Sequence, residues 1–224
     1  MPTDALINVN GDSVQTLEIL LFTTIMMLLP SLIVMMTSFT RYVVVFSFLR
    51  NAMGTQQTPP NMVLVGMAII LTLFTMSPTL AEVNEEALQP YQEEQITQEE
   101  FFQRAQVPLK RFMLHWVEPQ SLELYCNMSG TSLPENETEA ESLSMVVVIP
   151  AFITSELKQA FIIGFLLYIP FMLIDMVVAS TLMSMGMVML PPSMISTPFK
   201  LLLFILLDGW QLLFSTLARG FGFG

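Results

Sequence analysis

Four stretches of the chain carry no charged residue, 19–40, 51–81, 159–174 and 176–199. About 20 apolar residues cross a bilayer core as a helix, so these runs predict hydrophobic helices. The first begins after Glu18, is kinked at Pro30, where the ring removes a backbone hydrogen bond, and ends near Arg50. Turn formers crowd Asn51–Asn61, and Pro59-Pro60 forbids helix until about Asn61. A second helix follows and stops at Pro78, which makes the first pair a hairpin. The third segment starts after Pro150, with Thr154 or Ser155 as its cap. Pro170 then precedes Asp175, and a kink is expected where that acid projects. The fourth begins around Pro198 and ends near Arg219.

The pattern changes between the hairpins. Glu82–Glu94 is too polar to be buried in lipid. Thr97-Gln98-Glu99-Glu100 has the spacing of a capping box, in which hydroxyl and carboxylate satisfy each other's amides. Phe101, Phe102, Ala105, Leu109, Phe112, Met113 and Trp116 follow at roughly helical spacing, interrupted by Pro108, and predict one or two amphipathic helices. Residues 129–144 read as a flexible loop by composition. The expected organisation is therefore all-α, with two hydrophobic helical hairpins flanking a small, mostly helical acidic insert. Its parts are residues 1–80, 81–150 and 151–224.

Composition assigns the solvent. Hydrophobic residues are 53% of 224 and charged residues 12%, with a mean hydropathy of +0.63, whereas soluble domains carry about a quarter charged residues. The net charge is −11, and residues 82–141 hold thirteen acids against three bases, which is −10 of that total. No basic face exists for nucleic acid. Applied to the short connections, the positive-inside rule uses Arg41, Arg50 and Lys200 to put both turns on the cytoplasmic side and the insert on the periplasmic side. Asp4 and Asp12, with no Lys or Arg in the first 17 residues, are unlike the start of a signal peptide. The expectation is a processed chain, or a first helix that itself serves as the insertion signal.

Candidate chemistry is sparse. His115 and Cys126 are the single histidine and cysteine, so no metal cluster built on those ligands is expected from one chain. No phosphate loop and no catalytic constellation is visible, so no cofactor and no enzymatic activity are expected. Asp175 and Asp208 stand in apolar helices, where an ionisable group is costly unless paired or hydrated. Lys200 lies 25 residues beyond Asp175 across a turn, within reach as an ion-pair partner. The plainer readings are a snorkelling Lys200 and an Asp208-Gly209 that caps against a neighbouring subunit. Met183-Ser-Met-Gly-Met-Val-Met-Leu-Pro-Pro192 joins the last two segments. Methionine ordinarily packs against lipid or core, but Met183, Met185, Met187 and Met189 alternate ahead of two prolines. Soft thioethers in that arrangement are suited to a constriction that closes a channel and yields to a passing chain.

Several ordered blocks resemble the FliP family, the core subunit of the flagellar type III protein-export gate. They are Thr37-Ser-Phe-Thr-Arg-Tyr-Val-Val-Val-Phe-Ser-Phe-Leu-Arg-Asn-Ala-Met-Gly54, Pro59-Pro-Asn61, Met76-Ser-Pro78, Pro150-Ala-Phe-Ile-Thr-Ser-Glu-Leu-Lys158, Ile174-Asp175 and Pro198-Phe-Lys-Leu-Leu-Leu-Phe-Ile-Leu-Leu-Asp-Gly-Trp-Gln211. The likeness runs from about residue 17 to residue 219 and favours the flagellar branch over the paralogue of virulence injectisomes.

What the resemblance implies extends beyond the residues. Copies of such a chain, five in the family, assemble with the smaller subunits FliQ and FliR and with other export-apparatus proteins. The cone-like gate sits in the inner membrane at the flagellar basal body and passes unfolded export substrates. Its helices are buried largely against protein as well as lipid. The family's methionine gasket corresponds to Met187-Val188-Met189, with Met185 just before it. Val188 departs from the three successive methionines common there. Asp175 and Lys200 match charged positions that the family retains. Two other expectations stay open: an injectisome gate with different cargo, and a stand-alone transporter using Asp175 and Lys200 as a proton relay.

Overall fold

The computed structural model describes residues 34–55, 57–187 and 189–222, with residues 20, 22–24, 27, 28 and 31 ahead of them. Every regular element among them is helical. In order they are α1 (Phe39–Ala52), α2 (Asn61–Thr75), α3 (Ser77–Val83), a π-helical turn (Asn84–Leu88), α4 (Gln89–Gln92), α5 (Gln98–Trp116), α6 (Pro119–Ser129), α7 (Glu137–Ser142), α8 (Met145–Ser184), α9 (Pro192–Leu206) and α10 (Gly209–Arg219).

The first hydrophobic helix does not run unbroken to Arg50. Its backbone turns at residues 36–38, and α1 starts at Phe39. Thr37 causes the break: its hydroxyl donates to the Val34 carbonyl at 2.7 Å and accepts from the Phe39 amide at 3.3 Å. Such local side-chain bonds compete with the helical ladder. Pro30, where a kink was expected, lies outside the described residues.

Among the described residues one helix is apolar and long enough by length and composition to cross a membrane, α8, which contains an 18-residue stretch with a mean hydropathy of 2.4. The other two hydrophobic segments are bent pairs. α2 meets the following helical stretch at 62°, and α9 meets α10 at 63°. Pro78 sits in the first turn of α3 and enforces the first bend. Asp208, in left-handed conformation at φ 48°, makes the second. The expectation of four simple hydrophobic helices is corrected to this extent.

Four prolines expected to bound, interrupt or kink helices lie inside them. Ser144 accepts from the Val146 amide at 3.3 Å and starts α8 ahead of Pro150. Pro192 occupies the first turn of α9, where its fixed φ is suited to a helix and its missing amide is no loss, so α9 begins before Pro198. In α5, Pro108 is buried, and packing offsets the bond it cannot make. α8 likewise continues through Pro170 without a break.

α1 packs lengthwise on α8. Tyr42, Val45, Phe46 and Leu49 of α1 join Ala160 and Phe171 of α8 and Leu213 and Leu217 of α10 in one apolar core. The helices can approach this closely because position 164 is glycine: a Cβ there would stand 2.5 Å from the Phe48 ring. A second core joins Met113 of α5, Leu122 and Cys126 of α6, and Val147, Val148, Ala151 and Phe152 at the start of α8.

The polar segment is thus helical and attached to α8. The expected capping box is present at its start, with Glu100 N donating to Thr97 Oγ1 at 3.3 Å and Thr97 N to Glu100 Oε2 at 2.8 Å. Glu118 anchors the α5–α6 connection. Its carboxylate accepts from Lys158 Nζ at 2.5 Å and Gln159 Nε2 at 2.7 Å, and its amide donates to Ser155 Oγ at 2.9 Å. The Lys158 ammonium, more than Gln159, holds the Glu118 carboxyl below the usual carboxylate range. The stretch 129–144, expected as a loop, contains α7, which Asn136 caps by accepting from the Glu139 amide at 2.8 Å.

Candidate functional site

α8 ends in a Schellman motif built around Gly186. The Met187 amide donates to the Leu182 carbonyl at 2.9 Å and the Gly186 amide to the Met183 carbonyl at 3.0 Å. Gly186 itself adopts φ +74°, which a side chain would strain. This cap satisfies the last carbonyls of α8 and turns the chain sharply outward. Met185, Met187 and Met189 are 64, 44 and 96% exposed on the resulting loop, and Met183 is exposed beside them. Val188 lies outside the described residues.

About three helical turns before the methionine turn, α8 and α9 are joined by charge. Lys200 Nζ donates to Asp175 Oδ2 at 2.6 Å, and Ser196 Oγ donates to Asp175 Oδ1, also at 2.6 Å. Lys200 Nζ also donates to the Ala52 carbonyl at 3.1 Å. That carbonyl belongs to the last residue of α1, where unpaired carbonyls and the helix dipole favour a cation. Lys200 is buried, with its side chain 5% exposed, whereas that of Asp175 is 39% exposed. The cluster therefore joins α1, α8 and α9 within a single chain. Ser196 had no signal in the sequence beyond lying one helical turn before Lys200.

Asp208 is placed differently from the sequence expectation. It stands at the break between α9 and α10 instead of within a helix, it is exposed, and its side chain makes no capping hydrogen bond. Asp tolerates the left-handed backbone better than most residues, which accounts for its place at this bend.

A second ion pair, enclosed on both sides, was not singled out in the sequence. Arg41 of α1 grips both carboxylate oxygens of Glu156 on α8, Nε to Oε2 at 2.8 Å and Nη2 to Oε1 at 2.5 Å. Their side chains are 6 and 0% exposed. The signal was available: Arg41 is the only cation before Arg50, and Glu156 the only acid between Glu141 and Asp175. Arg41 and Lys200 are both held in ion pairs, which leaves Arg50, in the last turn of α1, to carry the orientation argument.

Among the described residues no three His, Cys, Asp or Glu side chains are grouped to hold an ion. Cys126 is buried, and burial pushes its thiol up, away from the reactive thiolate.

Helices α1 to α9, most of α10, the two ion pairs and the methionine turn fall within a stretch, residues 22–217, that matches the FliP family. The chain belongs to that family. It is similar to the flagellar biosynthetic protein FliP of Aquifex aeolicus (strain VF5), with 49% identity across 94% of this chain and 88% of that protein. It is 47% identical to the FliP of Bacillus subtilis (strain 168), over 92% of both chains. It is 48% identical to the FliP of Buchnera aphidicola subsp. Acyrthosiphon pisum (strain APS) over 91% of this chain, but spans only 53% of that longer protein. The family match thus contains Arg41, Glu156, Asp175, Lys200 and the methionine turn, and it stops short of Phe221.

Proposed function

We propose that this FliP-family chain is a pore-forming subunit of the flagellar type III secretion export gate and passes unfolded flagellar proteins across the inner membrane. The chain has no enzymatic part in this reading; substrates are driven by other components. The observation that carries it is the pairing of family membership with a cap that thrusts thioethers outward from the end of an apolar helix. Met185, Met187 and Met189, with Val188 among them, line the centre of a ring of copies, five by analogy with the family, joined to FliQ and FliR. Thioethers seal by dispersion contacts, and their soft torsions let them move aside for a polypeptide. The Asp175–Lys200–Ser196 cluster is an assembly brace that holds the turn against the end of α1.

The organisation proposed with it is a first hairpin in residues 1–80, a periplasmic acidic insert in 81–150 and a second hairpin in 151–224. Arg50 at the α1–α2 turn supports a cytoplasmic location for that end, and the acidic segment then faces the periplasm. The names of the matched relatives favour the flagellar gate over an injectisome gate. A lone proton-coupled transporter is disfavoured by Lys200, whose ammonium is held by both a carboxylate and a helix-terminal carbonyl.

Replacing Met187 and Met189 together with Ala tests the proposal. Cells carrying an otherwise intact gate should become permeable to ions or small solutes, as read by a membrane-potential dye, while the variant assembles normally. Unaltered permeability in an assembled gate refutes the seal.

A further inference from the structure

The turn after α10 closes on a buried cation. Phe221 is 6% exposed, and the guanidinium carbon of Arg41 lies 3.9 Å above the centre of its ring. Arg41 Nη1 also donates to the Gly220 carbonyl at 3.4 Å, while Nε and Nη2 hold Glu156. One guanidinium is thus occupied on two edges and on one face by α8 and by the C-terminal turn. The Phe221 ring meets Trp116 at 5.2 Å and Phe112 at 6.1 Å between centroids, both from α5, and Tyr42 of α1 at 5.8 Å. The polar segment, α1 and the end of the chain converge on this one side chain.

We propose that Phe221 is a positioning residue: its ring face holds Arg41 in the plane that lets it bind both Glu156 oxygens, and so fixes how α5 sits on α1 and α8. The chemistry calls for an aromatic ring and not only an apolar plug. Glu156 is wholly buried with Arg41 as its ionic partner, and a guanidinium out of water gains from a π face because it is weakly hydrated. An aliphatic side chain of similar bulk fills the space without offering that electron density. Lysine at position 41 could not reach both carboxylate oxygens and lie flat on the ring. Phe221 acts at the joint between the polar segment and the apolar helices, apart from any role in export.

Its test uses the full chain in detergent, in whatever assembly it is extracted, in a Trp210→Phe background that leaves Trp116 as the reporter. Phe221→Tyr should keep the emission maximum of Trp116 and its protection from acrylamide, whereas Phe221→Leu should red-shift the emission and expose the indole. Phe221→Leu and Arg41→Lys should couple by about tenfold in the unfolding equilibrium constant, as expected when one cation–π contact links the two side chains. Failure of the Leu variant alone to accumulate, with the Tyr variant intact, supports the proposal. Equal behaviour of Leu and Tyr, loss of both, or coupling within twofold overturns it.

Discussion

Asp175 and Lys200, 25 residues apart in sequence, meet at 2.6 Å with unequal exposure: the ammonium is enclosed and the carboxylate half open. The asymmetry predicts which partner is harder to lose. Asp175→Asn leaves a buried ammonium with neutral acceptors alone, the Ala52 carbonyl and the asparagine amide oxygen, and no counter-charge. Breaking a buried pair costs about 3–5 kcal/mol, and the open side of Asp175 places this one at the lower end of that range. Lys200→Met removes the buried charge, and the carboxylate it leaves can be hydrated, so its cost should be smaller. Thermal unfolding in detergent ranks the two, and Lys200→Met proving worse than Asp175→Asn contradicts the assignment.

The close approach of α1 to α8 gives a second expectation. Gly164→Ala places a methyl group 2.5 Å from the Phe48 ring, so the helices must separate or the ring must leave its rotamer. Overpacking of this kind costs about 1–3 kcal/mol. Phe48→Leu made in the Gly164→Ala chain should recover part of the loss. Denaturant midpoints of the single and double variants measure it, and additivity of the two changes refutes the contact.

Glu118 provides a pH dependence whose sign follows from its lowered carboxyl. Lys158 stabilises the charged form in the folded chain, so the contribution is fully present above the carboxyl's unfolded value and is lost as pH falls through the lower folded value. Below that point Glu118 is protonated and resembles glutamine. Glu118→Gln should therefore be less stable than the native chain near neutral pH, and the two stability curves should converge in acid. Parallel curves over the whole range exclude the Lys158 bond as the cause.

Much of this arrangement was legible from charge placement alone. A single acid and a single lysine in otherwise apolar segments are costly apart, and the Asp175 to Lys200 spacing matches a hairpin, so their proximity was readable. The Thr97 capping box was readable because both partners lie within one helical turn. The Arg41–Glu156 pair was harder, since it joins residues 115 apart with no periodic relationship. The bends at Thr37 and Asp208 were missed for another reason. Each comes from one residue's local backbone chemistry inside an apolar stretch whose composition reads as continuous helix. The prolines misled in the opposite direction, because the Ser144 cap and the first-turn Pro192 upstream decide where α8 and α9 begin.

Gly186 sets how the methionines are presented, and this yields the last expectation. Its φ of +74° is the left-handed conformation that closes the Schellman motif, and open space surrounds it, so a Cβ there meets no neighbour. Gly186→Ala should consequently cost only the backbone term, about 1 kcal/mol. Gly186→Asn should cost less, because asparagine visits this region more readily. Met187→Ala and Met189→Ala, at exposed positions, should each change the stability of the isolated chain by less than about 0.5 kcal/mol. A gate defect in Met187→Ala/Met189→Ala without a folding defect therefore assigns the sulfurs to sealing. A defect in Gly186→Ala, with all methionines retained, assigns the same role to their direction. Thermal unfolding beside a permeability assay separates these outcomes, and a stability loss in the methionine variants equal to that of Gly186→Ala would falsify the division.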